Sequence, residues 1–169
     1  MKPDADQTKE NKPPKISPKR FEERFRKDWV RTFPYSIILR IPDQMSRFKG
    51  SSKNICDFIE YREGILYFTE CKIHKGSSLP IKNITQYELM KDYCGMKGVR
   101  VGVVLWLYEK DLEFYIPIST IKQMKAEGKK SVGLKAYNAG YNIKLIPTKK
   151  KRVFLEADYS ILSELSEGE

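Results

Sequence analysis

Asp57, Glu70 and Lys72 are the residues whose types and spacing point to chemistry in this sequence. Glu70 and Lys72 alternate with Cys71, so on a β-strand both leave from one face while Cys71 turns to the other, into the core. Residues 57–73 read as two apolar, aromatic-rich runs on either side of Arg62-Glu63-Gly64. Glycine there supplies the positive φ of a tight connection, which makes the segment a β-hairpin. Antiparallel pairing then brings Asp57, at the start of the first strand, beside Glu70, near the end of the second. Two crowded carboxylates repel unless a cation lies between them. Oxygen-only ligands favour a hard ion, Mg²⁺ or Mn²⁺. The competing interpretation is a hairpin with a solvated charged face, since opposite charges are common neighbours on strands.

Asp57 followed by Glu70-Cys71-Lys72 resembles the Asp…(Asp/Glu)-x-Lys nuclease core. The surrounding text is Lys53-Asn54-Ile55-Cys56-Asp57-Phe58, then Leu79-Pro80-Ile81-Lys82-Asn83-Ile84 and Gln86. It resembles the RecU-type Holliday-junction resolvases of Gram-positive bacteria and their phages, over about residues 21–135. Ile55 stands where that family usually carries Thr. The resemblance implies a restriction-endonuclease-like α/β fold: an αβββαβ core, a mixed sheet flanked by helices, and a stalk protruding between the first two strands. It implies a Mg²⁺-dependent endonuclease, with Mn²⁺ as a substitute, that resolves four-way DNA junctions in recombination by paired cuts and works as a homodimer. Asp57 and Glu70 would hold the metal with the Cys71 backbone carbonyl, and Lys72 would orient the attacking water or stabilise the pentacovalent phosphate. Related resolvases also carry an active-site Glu early in the first helix, matched by Phe21-Glu22, and a Gln that reaches the metal, matched by Gln86.

The elements that must position these residues can be read in order. Residues 1–16 are polar with mixed charge and are expected to form a flexible tail; 17–169 are expected to form one domain. Ser17-Pro18 opens a helix running to about Thr32, with Phe21, Phe25 and Trp29 as its packing stripe. Glu22 lies at the edge of that stripe, either as a site residue or as an ordinary surface glutamate. A short strand over 35–41 leads into 41–53, which lacks a folding pattern. Arg47, Phe48, Lys49 and Lys53 there suit a stalk that holds phosphates and wedges into an open junction centre. His74 is an exposed strand-end residue or a phosphate contact, and Lys75 follows it. Asn83 and Gln86 have capping-box spacing for a helix over 84–94, so Gln86 is either a cap or a site residue.

Farther on, 99–108 reads as a central strand buried on both faces, with 113–118 as its hairpin partner. Ser119 and Thr120 are expected to cap a helix ending at Gly128. Lys129, Lys130 and Lys135 follow in a loop, facing DNA or simply solvated. Residues 141–147 and 153–155 are expected to pair as a ribbon about a basic turn at 149–152, and Asp158 to cap a terminal helix.

Composition limits the alternatives. With 32 Lys and Arg against 22 Asp and Glu, the net charge of +10 is the footprint of a polyanion binder. Three cysteines without Cys-x-x-Cys spacing and one histidine argue against a zinc site or a disulfide framework. No signal peptide or apolar run of membrane length occurs, which places the expected protein in the cytoplasm of a bacterial or phage-infected cell. Two rival functions remain: a restriction- or repair-type nuclease on the same core, and a junction-binding protein without chemistry. An RNA-binding module would want an aromatic platform motif, which is missing.

Overall fold

The computed structural model describes residues 16–42 and 54–165. Its elements in chain order are α1 (Pro18–Thr32), β1 (Ile37–Arg40), β2 (Phe58–Arg62), β3 (Ile65–His74) and β4 (Ser78–Pro80). Then come α2 (Tyr87–Met90), β5 (Val99–Leu107), β6 (Leu112–Pro117), α3 (Ile118–Ala126), β7 (Ser131–Gly133) and α4 (Leu134–Asn138). The chain closes with β8 (Lys144–Leu145), β9 (Thr148–Lys151), β10 (Phe154–Ala157) and a 3₁₀ turn over Tyr159–Glu164. The main sheet has the order β1-β2-β3-β5-β6-β8. Only β3 and β5 run parallel, so the sheet is mixed. This is the α/β restriction-endonuclease-like arrangement, with helices on both faces of a mixed sheet.

Alternation along β3 and β5 divides the core into two layers. On one face Tyr67, Cys71, Val104 and Trp106 meet Phe21, Phe25 and Trp29 of α1 and Tyr159 of the terminal turn. On the other, Phe68, Val103 and Leu105 meet Leu79, Ile81, Ile84, Met90, Ile121 and Met124. Helix α1 starts as its sequence dictates: Ser17 Oγ accepts from Arg20 N–H at 3.4 Å and Pro18 occupies the first turn. The β2–β3 hairpin turns through Glu63 and Gly64, both at positive φ. Gly102 of β5 has a different reason: a Cβ there would lie 2.4 Å from the Tyr115 ring.

Several expectations are corrected. The helix over 84–94 is instead a single α turn, α2, between 3₁₀ turns at Ile81–Asn83 and Lys91–Tyr93. Asn83 therefore ends a 3₁₀ turn and caps nothing, and Gln86 makes no side-chain cap bond. Helix α3 has no side-chain cap; the Thr120 hydroxyl donates to the Asn142 carbonyl at 2.7 Å. Lys135 lies in α4 rather than a loop. The ribbon pairs β9 with β10 about Arg152, so the basic segment is a strand, while β8 joins the main sheet against β6. The terminal helix is 3₁₀, capped by Asp158, whose side chain accepts from Ser160 N–H at 3.0 Å. The stalk residues Met45, Arg47, Phe48, Lys49 and Lys53, and the tail up to residue 15, lie outside the described residues. Among the described residues no helix is long and apolar enough to cross a membrane.

Polar groups stitch the α1 layer shut. Asp28 accepts from Ala157 N–H at 2.9 Å and lies 3.3 Å from Arg24. Arg100 donates to the carbonyls of Leu162, at 2.8 Å, and Leu165. Glu113 is buried and accepts from the Tyr159 hydroxyl at 2.5 Å. Burial raises its carboxyl to about 7, against an ordinary value of 4.5. Between those pH values the native state keeps a proton that the unfolded chain has released, so stability falls as pH rises and the loss is complete above about 7. Glu113→Gln, which still accepts from Tyr159, should remove this component. Melting curves from pH 4 to 8 should show wild type losing on the order of 3 kcal/mol more than the variant. Parallel curves would mean that Glu113 does not titrate in this range.

Candidate active site

The β2–β3 ladder carries on past the end of β2. Asp57 N–H donates to the Thr69 carbonyl at 3.2 Å, and the Asp57 carbonyl accepts from Ile41 N–H at 2.8 Å. With Phe58 opposite Thr69, the next step of the register sets Asp57 against Glu70. The Asp57 carboxylate accepts from Cys71 N–H at 2.8 Å, which anchors it to β3 itself. The Cys71 side chain is buried on the α1 face, while Glu70 and Lys72 leave from the other.

Glu70 is 1% exposed. Its Oε1 accepts from the Lys72 ammonium at 2.6 Å, and its Oε2 is buried without a hydrogen-bond partner among the described residues. Burial raises the Glu70 carboxyl to about 8; the Asp57 charge pushes the same way and Lys72 pulls against both. An orphaned buried carboxylate oxygen costs free energy unless a proton or a cation satisfies it.

Glu22 projects from α1 to Arg40, whose Nε and Nη2 reach its Oε2 at 2.8 and 2.5 Å. Arg40 pairs with Phe58 in the ladder, one residue from Asp57, so the Glu22–Arg40 pair borders the Asp57 end of the sheet. It lies on the α1 side, away from the side chains of Glu70 and Lys72. Gln86 is half-buried and its Oε1 accepts from the Thr85 hydroxyl at 2.8 Å. His74 ends β3 on the Lys72 face, half-buried, and Lys75 beside it lies 3.6 Å from Glu109. The geometry thus brings Asp57, Glu70 and Lys72 together and leaves Glu22 and Gln86 with local partners.

Arg40, the partner of Glu22, is absent from the sequence-derived set; its signal is a lone guanidinium closing the apolar run Ile37-Ile38-Leu39. Glu60 is also absent. It shares the inward face of β2 with Phe58, is fully buried, and accepts from the Thr69 hydroxyl at 3.1 Å. Burial drives its carboxyl well above the ordinary value.

The chain shares its fold with an archaeal Holliday junction resolvase. A solved structure of the Archaeoglobus fulgidus resolvase Hjc superposes with a TM-score of 0.52 at 17% identity, covering 73% of this chain and 93% of that one. No protein-family model matches the sequence, and no curated protein matches it.

The residues present fit a divalent cation. Among the described residues no group of three or more His, Cys, Asp and Glu side chains is arranged to hold a metal. A site here would combine the Asp57 and Glu70 carboxylates with backbone oxygen, as hard cations accept. The unpartnered Glu70 Oε2 and the mutual repulsion with Asp57 are the two costs such an ion would relieve. Mg²⁺ added to chelator-treated protein should therefore raise its melting temperature. At about 100-fold excess over Kd the gain is roughly 2.7 kcal/mol. The gain should grow as pH rises toward about 8, because the proton on Glu70 competes with the ion. Asp57→Asn and Glu70→Gln should each abolish it, and equal shifts in all three proteins would place the ion elsewhere.

Proposed function

We propose that the protein is a Mg²⁺-dependent endonuclease that resolves four-way DNA junctions, acting as a RecU-type homodimer. The observation that carries the reading is the Asp57–Glu70–Lys72 cluster, in which Glu70 is buried with one oxygen unpartnered among the described residues. The resolvase fold and the net charge of +10 support it.

Asp57 and Glu70, with the Cys71 carbonyl, would hold the ion. Bound there, Mg²⁺ supplies the acidity that makes a water nucleophilic near neutral pH and the charge that offsets what builds on the phosphate. The water oxygen would bond to phosphorus, its proton passing to solvent, as one bridging P–O bond breaks and the departing deoxyribose oxygen takes up a proton from solvent. Lys72 is tethered to Glu70 at 2.6 Å, so its ammonium stays beside the reacting phosphate, where it orients the water or stabilises the pentacovalent oxygens. The Asp57 carboxylate keeps its place through Cys71 N–H, without help from the ion. His74 and Lys75 extend the same strand toward flanking phosphates. Gln86 and Glu22 would have to turn from their present partners, Thr85 and Arg40, to join the site. Paired cuts across a two-fold junction require two active sites, which a symmetric dimer provides.

A labelled four-way junction and a linear duplex of the same sequence, each with Mg²⁺, Mn²⁺ or chelator, test the proposal. The junction should be cut far faster and only with metal. Equal cutting of both would indicate a restriction- or repair-type nuclease, and no cutting a binding protein. Lys72→Ala should slow single-turnover cleavage by about 10²–10³ fold with junction affinity unchanged; reduced affinity at an unchanged rate would make Lys72 a phosphate contact.

Junction selectivity is assigned to residues 41–53. Replacing Met45, Ser46, Arg47, Phe48 and Lys49 with a Gly-Ser linker should lower the ratio of junction to duplex affinity toward one. An unchanged ratio would remove the stalk from the mechanism.

A further inference from the structure

A basic surface lies in the layer that covers the sheet face carrying Glu70 and Lys72. The layer covering that face includes the 3₁₀ turn after β4, α2 and α3. Between them opens a groove of about 710 Å³ lined by Ile81, Ile84 and Tyr87, by Lys82, Lys129 and Lys130, and by the Glu88–Lys125 ion pair. A second hollow, sharing Lys129 and Lys130, continues to Lys135.

Backbone geometry holds these lysines in place. Ile81 N–H donates to the Lys130 carbonyl at 2.9 Å, and Lys129 N–H to the Met124 carbonyl at 2.8 Å. Strands β4 and β7 pair beside them. Gly133 allows the close approach: a Cβ there would lie 2.5 Å from the Ser77 carbonyl oxygen.

Most of this charge lacks a close counter-ion, although Glu127 lies within electrostatic reach of Lys129. Lys82, Lys129, Lys130 and Lys135 are exposed and form no ion pair with any described residue. The acidic groups nearby are engaged: Glu88 by Lys91 and Lys125, and Glu127 by Gln123 and the Tyr141 hydroxyl. Clustered exposed ammonium groups repel one another and lower their energy against a polyanion. Lysine is a point charge on a flexible stem, suited to following a phosphate backbone without reading sequence.

We infer that Lys82, Lys129, Lys130 and Lys135 form a track for the sugar–phosphate backbone of a duplex DNA arm leaving the candidate active site. This rests on the reading of the chain as a junction-cutting nuclease.

The test compares wild type with Lys82→Ala/Lys129→Ala/Lys130→Ala/Lys135→Ala, and with the matching set of arginine substitutions. Binding is measured in chelator, to junctions with long and with short arms, across a salt titration. Wild type should bind long arms more tightly. The alanine variant should lose that preference and bind long arms roughly tenfold or more weakly. Its log–log salt slope should fall by about one for each phosphate contact removed. The arginine variant should behave as wild type. Melting temperatures should agree, since all four side chains are exposed. Wild-type affinity, arm-length preference and salt slope in the alanine variant would overturn the track.

Cleavage of the short-armed junction with Mg²⁺ separates the two readings. Cutting by wild type with an unaltered salt slope in the variant sinks the track alone. A reduced slope in a protein that cuts nothing sinks the nuclease and keeps the track as a DNA-binding surface.

Discussion

Two residues at positive φ, Glu63 and Gly64, close the β2–β3 hairpin and thereby set the register of every pair beyond it. Four ladder steps away from the turn Phe58 meets Thr69, and one more sets Asp57 against Glu70. Because side chains alternate with a period of two, a slip by one residue would send Asp57 to face Cys71 or Thr69 and turn the carboxylates apart. The parallel pairing of β3 with β5 fixes the other edge of the same strand, with Glu70 opposite Val103 and Lys72 opposite Leu105. The strand bearing the candidate site is therefore clamped between two ladders, and the Asp57 carboxylate is tied to it by a third bond, to Cys71 N–H.

That rigidity has an electrostatic cost. Asp28, Glu60, Glu70 and Glu113 are all buried, and burial raises the carboxyl of each. They solve the problem differently. Asp28 has two arginines and a backbone donor. Glu113 has the Tyr159 hydroxyl; Glu60 has the Thr69 hydroxyl on one oxygen and, like Glu70, no hydrogen-bond partner among the described residues on the other. Glu70 alone of these combines a lysine on one oxygen, nothing among the described residues on the other, and a second carboxylate close enough to repel it. This unsolved arrangement separates a candidate metal ligand from a carboxyl that merely tolerates the core.

The parts legible in the sequence were those governed by a single period. Phe21, Phe25 and Trp29 recur every four residues and form the buried stripe of α1. The alternation through Glu70, Cys71 and Lys72 divides them between the faces as expected. The helix expected over 84–94 is broken into short turns because Ile81, Ile84, Tyr87 and Met90 are buried at a spacing of three, the repeat of 3₁₀ turns rather than of a continuous α-helix. The strand Thr148–Lys151 was invisible because all of it is exposed and pairs only with β10. Asp28, Glu60 and Glu113 went unread because a carboxylate on an inward face carries no mark of its partner, and each partner stands far away in sequence or on another strand.

The α1 layer joins the two ends of the described chain. Phe25 of α1 packs edge-on against Tyr159 at 5.1 Å, Asp28 bonds to Ala157, and buried Arg100 in the middle of the sheet donates to carbonyls at 162 and 165. During synthesis, α1 emerges long before those partners exist. Until about residue 165 has left the ribosome, one whole face of the sheet, with the aromatic stripe of α1, lacks its cover. The face that carries Glu70 and Lys72 can gather its covering elements by about residue 145, so its core can assemble first. Closing contacts between distant positions are slow to form and leave apolar surface exposed meanwhile. Late-acquired carbonyls and one tyrosine thus decide when a nascent chain stops being sticky, although none of them lies at the candidate active site.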